Sequence, residues 1–178
     1  KIRGLKVVFY SGEGFIKAVE GVNIDVREGE CVAIVGESGC GKSVTGLSMM
    51  RLLSSPPAIW RADEMTYLSR SGEKADLINA AESRLEKLRR DEISMIYQDP
   101  SSALNPVMTI GAQIEEIYKY HTDLSKKESR EAGIEMLKRV GIPAPEKRYD
   151  QFPHELSGGM KQRVLIAMAM ALKPRLLI

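Results

Sequence analysis

Apolar and polar positions along the first half of this chain predict mostly β-strands. Residues 1–9 alternate, and a turn at 11–14 separates them from a second strand in a meander. Residues 30–35 have an apolar centre, Cys-Val-Ala-Ile-Val, as in a parallel strand covered on both faces. The predicted strands cover residues 1–9, 18–26, 30–35, 64–68 and 92–97, and a last one begins at Leu176.

Apolar residues spaced three and four apart predict helices, mostly in the second half of the chain. These helices cover residues 42–53, 76–90, 110–121, 125–140 and 157–172. The fourth is marked at both ends, because Ser125 and Glu128 form a capping box and Gly141 followed by Pro143 ends it. A proline-punctuated connection, residues 143–153, leads to the last helix.

Composition and charge narrow the class of protein. The 178 residues are 43% hydrophobic and 28% charged, which is ordinary for a soluble globular domain. The 26 basic and 24 acidic residues leave a net charge of +2, so nothing here favours nucleic acid. Cys31 and Cys40 suit neither a disulfide framework nor a C-x-x-C metal site, which indicates a reducing, cytosolic setting.

No secretory signal opens the chain. Its longest apolar run, residues 164–172, is far shorter than the ~20 residues that span a bilayer, so it predicts a buried helix. Any association with a membrane is therefore expected to come through a partner protein.

The run Gly36 to Ser43 fits the pattern G-x-x-x-x-G-K-[ST] and predicts an ATP site with Mg²⁺. Its glycines let successive backbone N–H groups curl around phosphates. Lys42 supplies an ammonium for the β and γ oxygens, and Ser43 supplies a hydroxyl for Mg²⁺. The motif lies between a predicted strand and a predicted helix, as its mechanics require.

Two later features point to phosphate as well. Leu156-Ser157-Gly158-Gly159 opens a predicted helix, where unpaired N–H groups and the helix dipole favour an anion. Gln98 follows a predicted strand, and a residue at a strand's carboxyl end faces the ligand crevice of an open α/β sheet. Taken one by one, these features also fit a coincidental turn, a helix cap and a surface glutamine.

In this order and spacing, the three motifs resemble the Walker A loop, the Q-loop and the signature of ABC transporter nucleotide-binding subunits. Residues 97–100 and 104–111 are similar to those of ATPases that power oligopeptide, dipeptide and nickel importers. Two positions depart from the usual pattern: Met160 stands where the signature commonly has glutamine, and Cys40 where serine is commoner.

The resemblance implies an α/β fold with a P-loop NTPase core, an antiparallel β subdomain and an inserted helical subdomain. We expect residues 1–108 to form the core and β subdomain, 109–156 the helical subdomain, and 157–178 the signature helix and the start of the Walker B strand. It also implies an acidic pair beyond Ile178 and a further parallel strand. We therefore expect a fragment of a longer ATPase that by itself binds ATP weakly, without turnover.

The resemblance assigns roles to individual residues. Lys42 and Gln98 are the implied catalytic residues, and Gln98 joins Ser43 at Mg²⁺ or orients the attacking water. Phe9 is the residue implied to stack on adenine, with Tyr10 as the alternative. Phe9 also fits an ordinary aromatic residue of the core. The other nucleotide contacts come from Gly36, Glu37, Ser38, Gly39, Cys40 and Gly41, from Thr45 near the α-phosphate, and from Ser157, Gly158 and Gly159.

The last three of those residues are expected to bind the γ-phosphate held by a second ATPase subunit, because the family closes head to tail around two ATP molecules. That dimer is homomeric or heteromeric. Other implied partners are membrane permease subunits and, indirectly, an external or periplasmic solute-binding protein. Residues 100–111 resemble the surface that receives the permease, although internal packing explains their apolar side chains equally well.

The implied function is import of peptides, or of nickel and other metal complexes, driven by ATP at the cytoplasmic face of the membrane. One alternative is an ABC ATPase acting on nucleic acid, for which we expect heptads or a cysteine cluster that this sequence lacks. The other is a catalytically inert nucleotide-binding module.

Overall fold

The computed structural model describes residues 1–12, 14–99 and 103–178, which form two compact units, Lys1–Leu88 and Arg89–Ile178. The strands are β1 Ile2–Ser11, β2 Gly14–Ile24, β3 Ala58–Arg61, β4 Glu64–Leu68, β5 Lys74–Asp76, β6 Ile93–Ser94 and β7 Leu176–Leu177. The helices are α1 Lys42–Met49, α2 Glu82–Asp91, α3 Ile110–His121, α4 Lys126–Arg139, α5 Pro145–Tyr149 and α6 Gly158–Met170, with a 3₁₀ turn at Pro153–Glu155.

The first unit is built on an antiparallel sheet around β1. This strand pairs with β2 along one edge and with β3 and β4 along the other, and β4 pairs with β5. Val7 lies opposite Val19 and Trp60, and Leu5, Val7 and Met65 are fully buried. The predicted meander of the first two strands is confirmed, and β3 and β5 are strands that the sequence pattern did not reveal.

The predicted strand at residues 30–35 is wrong for this structure. These residues are exposed and lie outside the strands, with Val35 exposed to 90%. An apolar strand of a parallel sheet needs a ladder partner for its N–H and C=O groups. No such partner pairs with them among the described residues.

The helix predicted over residues 76–90 is also corrected at its start. Residues Lys74–Asp76 instead pair with β4 as β5, and Leu77 donates its N–H to the carbonyl of Met65 at 2.8 Å. Pairing with the preceding strand has overridden the local helical period here. The helix begins at Glu82 and keeps Leu85 and Leu88 buried, as its apolar spacing indicated.

The second unit is mainly helical, and its core lies among α3, α4 and α6. The predicted capping box of α4 is confirmed, because Ser125 Oγ accepts from the N–H of Glu128 while the Glu128 carboxylate accepts from the N–H of Ser125. Strands β6 and β7 pair in parallel, so the predicted strand start at Leu176 is confirmed. Helix α5 lies within the connection at 143–153, and Pro145 occupies its first turn.

Tyr149 at the end of α5 joins α3 to α4. Its ring is 1% exposed and lies against Gly111 and Gly133, where an added Cβ would come closer than 3.0 Å to ring atoms. Its hydroxyl donates to Glu115 at 3.1 Å, and Arg130 lies 4.7 Å from the ring centre. Two small residues therefore let one buried aromatic ring hold the helices together.

Candidate nucleotide-binding site

The loop Gly36 to Gly41 turns at two glycines with positive φ. Gly39 has φ of 82° and Gly41 has φ of 90°, in the left-handed region that favours glycine. A Cβ on Gly36 would stand 2.5 Å from Cys40 Sγ, whereas a Cβ on Gly39 would meet nothing within 4 Å. The Cys40 side chain thus fills the space beside Gly36, whereas the space beside Gly39 is open. An open space there fits a phosphate group that approaches the backbone.

Lys42 spans the loop from the start of α1. Its Nζ donates to the carbonyl oxygens of Gly36 and Glu37, each at 2.7 Å, and lies 3.5 Å from Cys40 Sγ. These contacts hold the ammonium over the loop while the side chain stays accessible. The Lys42 ammonium is therefore held beside the backbone of the loop.

The N-terminus of α1 supplies further donors. The first intrahelical hydrogen bond runs from the N–H of Thr45 to the carbonyl of Gly41 at 2.8 Å, so the N–H groups of Lys42, Ser43 and Val44 precede the helical ladder. Ser43 is exposed. Thr45 is 4% exposed, and its hydroxyl donates to the carbonyl of Gly41 at 2.9 Å, so this hydroxyl braces the helix start.

The sheet holds this helix start in place. An added Cβ on Gly41 would come closer than 3.0 Å to the carbonyl oxygen of Ala18 and 3.2 Å from Val19 Cγ2. The close approach of α1 to β2 therefore depends on glycine at this position, and it positions the loop relative to the strands β1 and β2.

Strand β1 carries both aromatic residues considered for adenine. Phe9 is half-buried in the ladder, opposite Ile16 and Ala58. Tyr10 is 57% exposed, and its ring centre lies 5.5 Å from that of Phe15. The structure thus gives Tyr10 a free face, and Phe15 is a neighbouring ring that the sequence motifs did not single out.

Gln98 and the second glycine run belong to the second unit. The ladder beside Leu176 extends to Ile96, whose N–H donates to the carbonyl of Ile178 at 2.8 Å, and Gln98 is exposed just beyond it. Ser157 caps α6, since its hydroxyl accepts from the N–H of Met160 at 3.3 Å.

Gly158 and Gly159 are exposed in the first turn of α6, and an added Cβ on either would meet nothing within 4 Å. Their N–H groups precede the first intrahelical bond, from Lys161 to Ser157. Nothing described around them in this chain requires glycine at these two positions, which suits close approach by another molecule.

Residues 105–108 are held by a buried amide that sequence reasoning missed. Gln113 is 4% exposed; its Oε1 accepts from the N–H of Asn105 at 2.9 Å, and its Nε2 donates to the carbonyls of Asn105 and Met108 at 3.0 and 3.1 Å. Leu104 packs in the core, whereas Val107 is 80% exposed. Residues 100–102 of the proposed permease surface lie outside the described residues.

Two further observations concern the part of the chain that the structure describes. No helix there combines the length and the apolar character needed to cross a membrane. No group of three or more His, Cys, Asp or Glu side chains within residues 1–12, 14–99 and 103–178 is placed to hold a metal ion. Within the P-loop, the exposed hydroxyl of Ser43 at the start of α1 is the oxygen ligand that the motif predicts for Mg²⁺.

A glycine loop closed by a lysine at the start of a helix defines a P-loop nucleotide-binding protein. The family described as ABC transporter matches residues 19–178. This chain therefore belongs to the ABC transporter family, as the motifs indicated.

Similar proteins include the oligopeptide transport ATP-binding protein OppD of Bacillus subtilis, 45% identical over 178 residues, which are all of this chain and 48% of that protein. A putative peptide import ATP-binding protein of Brucella melitensis is 48% identical over 177 residues, 99% of this chain and 52% of the relative. The chain thus spans about half the length of the curated relatives it matches.

Solved structures support the fold. The dimeric ATP-binding cassette MJ0796 bound to ADP and Pi matches with a TM-score of 0.81 and 28% identity, covering 99% of this chain and 71% of that one. CbiO1 from Clostridium perfringens, described as part of an ABC transporter complex, matches with a TM-score of 0.63 and 28% identity, covering 99% and 64%. The α/β ABC ATPase fold predicted from the motifs is confirmed.

Proposed function

We propose that this chain is the nucleotide-binding part of an ATPase subunit that drives import of peptides through membrane permeases. The observation that carries the proposal is the P-loop geometry, with Lys42 fixed over the loop carbonyls by two hydrogen bonds of 2.7 Å. The peptide transport names of the relatives support the cargo class. Import of nickel or other metal complexes is the related alternative that the same motifs allow.

The P-loop residues and Gln98 have separate roles in this proposal. Lys42 and the N–H groups of the loop and of the first turn of α1 bind the β and γ phosphates, and Ser43 is the ligand that this loop offers to Mg²⁺. Mg²⁺, when bound, neutralises charge that develops on the phosphate oxygens. Gln98 orients water, as the Q-loop of the family does.

The signature residues Ser157, Gly158 and Gly159 serve the ATP of a second subunit in a head-to-tail dimer. Their exposed first-turn N–H groups and the open space beside both glycines support this role. The dimeric state of the similar cassette MJ0796 supports it further. Permease subunits hold such a dimer at the cytoplasmic face of the membrane, and a solute-binding protein delivers the cargo.

The function is tested with the full-length protein reconstituted in vesicles with its permease subunits and solute-binding protein. We expect ATP turnover to rise when a peptide mixture and the binding protein are supplied, and peptide to accumulate across the membrane. The same assay is repeated with nickel complexes and with duplex DNA in place of the peptide mixture. Stimulation by DNA and none by peptide or nickel would contradict the proposal, and stimulation by nickel alone would change the cargo.

We expect the adenine contact to come from the exposed ring of Tyr10, because a base stacks on an aromatic face that is accessible. Base–aromatic stacking is worth about 1–3 kcal/mol, so Tyr10→Ala should weaken ATP binding roughly 10-fold, and Tyr10→Phe should keep the affinity. Phe9→Ala in the ladder should mainly lower stability, because its ring lies half-buried opposite Ile16 and Ala58. Titration with ATP and with inorganic triphosphate separates a loss of adenine stacking from a loss of stability. A larger loss of ATP affinity for Phe9→Ala than for Tyr10→Ala would show that Phe9 is the stacking residue.

The permease contact is expected to include Val107. This side chain is exposed on a loop that Gln113 holds through hydrogen bonds to Asn105 and Met108. Val107→Asp places a charge on an apolar contact, so the ratio of permease-coupled to uncoupled ATP turnover should fall about 10-fold or more. Val107→Thr keeps the shape without a charge and should retain most of the coupling. An unchanged ratio for Val107→Asp would remove this residue from the surface.

A further inference from the structure

Arg163 joins the signature helix to the end of a neighbouring helix. It lies on α6, six residues after Ser157, and its Nη1 donates to the carbonyl of Val140 at 3.1 Å and to that of Gly141 at 2.9 Å. Both acceptors follow the last turn of α4. The contact therefore ties the helix that carries the signature to a fixed point of the helical unit.

The acceptor side of this contact is well defined. Helix α4 ends with Gly141 at φ of 73°; the N–H of Gly141 donates to Lys138 at 2.9 Å and that of Ile142 donates to Leu137 at 3.0 Å. This Schellman arrangement uses the carbonyls of 138 and 137 and leaves those of Val140 and Gly141 for Arg163. A cation is also favoured at a helix C-terminus. The guanidinium lies so close that an added Cβ on Gly141 would be 2.6 Å from Nη1.

Apolar packing by itself specifies the rotation of α6 weakly. Residues 164–172 are apolar without interruption, so the helix presents apolar side chains all round instead of on one stripe. Val164, Leu165 and Ala167 are buried, and other apolar residues could replace them after a rotation. The paired hydrogen bonds of Arg163 are directional and distinguish one rotation from the others.

We propose that Arg163 is the positioning residue of the signature motif. By binding the carbonyls of Val140 and Gly141, it holds α6 in the rotation at which Ser157, Gly158 and Gly159 face the nucleotide of the second subunit. The inference rests on the proposed function, in which the signature acts on the other subunit's ATP. Misplacement of a group by about 1 Å can cost about 100-fold in rate, so a small rotation has a large effect.

A positioning role predicts a split between binding and turnover. Arg163→Ala in the full-length protein should lower kcat about 10- to 100-fold, whereas ATP affinity of the P-loop in the same subunit should change less than about twofold. Arg163→Lys should recover part of kcat, because an ammonium also donates to carbonyls. A loss of stability alone would lower both quantities together.

The decisive test uses dimers of the full-length protein assembled from two differently tagged copies. With Lys42→Ala in one copy and Arg163→Ala in the other, both changes fall in the same ATP site and the second site stays intact. With both changes in one copy, each site carries one of them. We expect dimers with the two changes in different copies, and so in one ATP site, to turn over ATP at least about 10-fold faster than dimers with both changes in one copy.

Two reference variants make the outcomes distinguishable. Gly158→Asp, combined with Lys42→Ala in the same two arrangements, should give the same difference in ATP turnover. If Gly158→Asp gave no difference, the head-to-tail function itself would be overturned. A difference for Gly158→Asp but none for Arg163→Ala would overturn only the positioning role. Arg130→Ala, which breaks a two-bond ion pair with Asp150 in the same unit, should show no difference.

A second variant covers the case in which Arg163→Ala does not fold. Arg163→Gln keeps a polar side chain that is too short to reach both carbonyls, and it should reproduce the difference between the two arrangements. Equal turnover of the two arrangements with Arg163→Gln, beside a clear difference with Gly158→Asp, would contradict the proposal.

Discussion

Replacing Lys42 with alanine is expected to lower ATP turnover of the full-length protein at least about 100-fold. Removing one preorganised group that stabilises transition-state charge typically costs about 10²–10³ in kcat. Lys42 also braces the loop, because its Nζ donates to the carbonyls of Gly36 and Glu37 at 2.7 Å. The change therefore removes both the charge and the contacts that shape its surroundings, and ATP affinity should fall as well.

Turnover measured by phosphate release and affinity measured by calorimetry check this expectation. Lys17→Ala is the matched control, because Lys17 lies in the same unit on an exposed strand and pairs with Glu20 at 3.0 Å. Its side chain is 67% exposed, so its loss should leave both quantities within about twofold. If Lys42→Ala behaved like Lys17→Ala, the assignment of the P-loop would be wrong.

Replacing Gly41 with alanine is expected to cost about 2–5 kcal/mol of unfolding free energy and most of the ATP affinity. A left-handed conformation costs a residue with a Cβ about 1–2 kcal/mol, and overpacking adds about 1–3 kcal/mol. Gly41 meets both conditions, with φ of 90° and an added Cβ closer than 3.0 Å to the carbonyl of Ala18. That carbonyl is backbone within a strand, so relief requires moving α1 together with the phosphate loop.

Gly29→Ala separates the two causes. Gly29 has φ of 74°, but an added Cβ there would meet nothing within 4 Å, so only the conformational cost of about 1–2 kcal/mol applies. Urea unfolding and ATP titration of both variants give the comparison. Equal losses for Gly29→Ala and Gly41→Ala would show that the contact with β2 does not position the loop.

Local chemistry explains which elements could be predicted. The capping box at Ser125 and Glu128, the glycine stop at Gly141 and the serine cap at Ser157 act between residues a few positions apart, so the pattern is sufficient to place α4 and the start of α6. Strand β5 forms by pairing with the preceding strand β4, and a strand at residues 30–35 would need a ladder partner that none of the described strands supplies, so the local pattern misled at both places.

The candidate site divides in the same way. The sequence predicts every residue of the P-loop, because the chemistry of phosphate binding demands glycines, a lysine and a hydroxyl at fixed spacing. The resemblance favours Phe9 for adenine with Tyr10 as the alternative, whereas exposure in the folded strand, which the sequence does not give, favours Tyr10. Nor could the sequence separate buried Leu104 from exposed Val107 in one apolar segment.

The sequence by itself determined the family and the helix boundaries set by caps, and it predicts the phosphate loop and the signature run, because each depends on residues close together in the chain. Only the tertiary structure decided the close approach of Gly41 to β2, the brace of Gln113 and the contact of Arg163 with the end of α4. Gly41 and Arg163 meet partners more than twenty residues away, and Gln113 reaches back to a loop whose course only the fold sets. No local pattern of apolar and polar positions encodes such contacts.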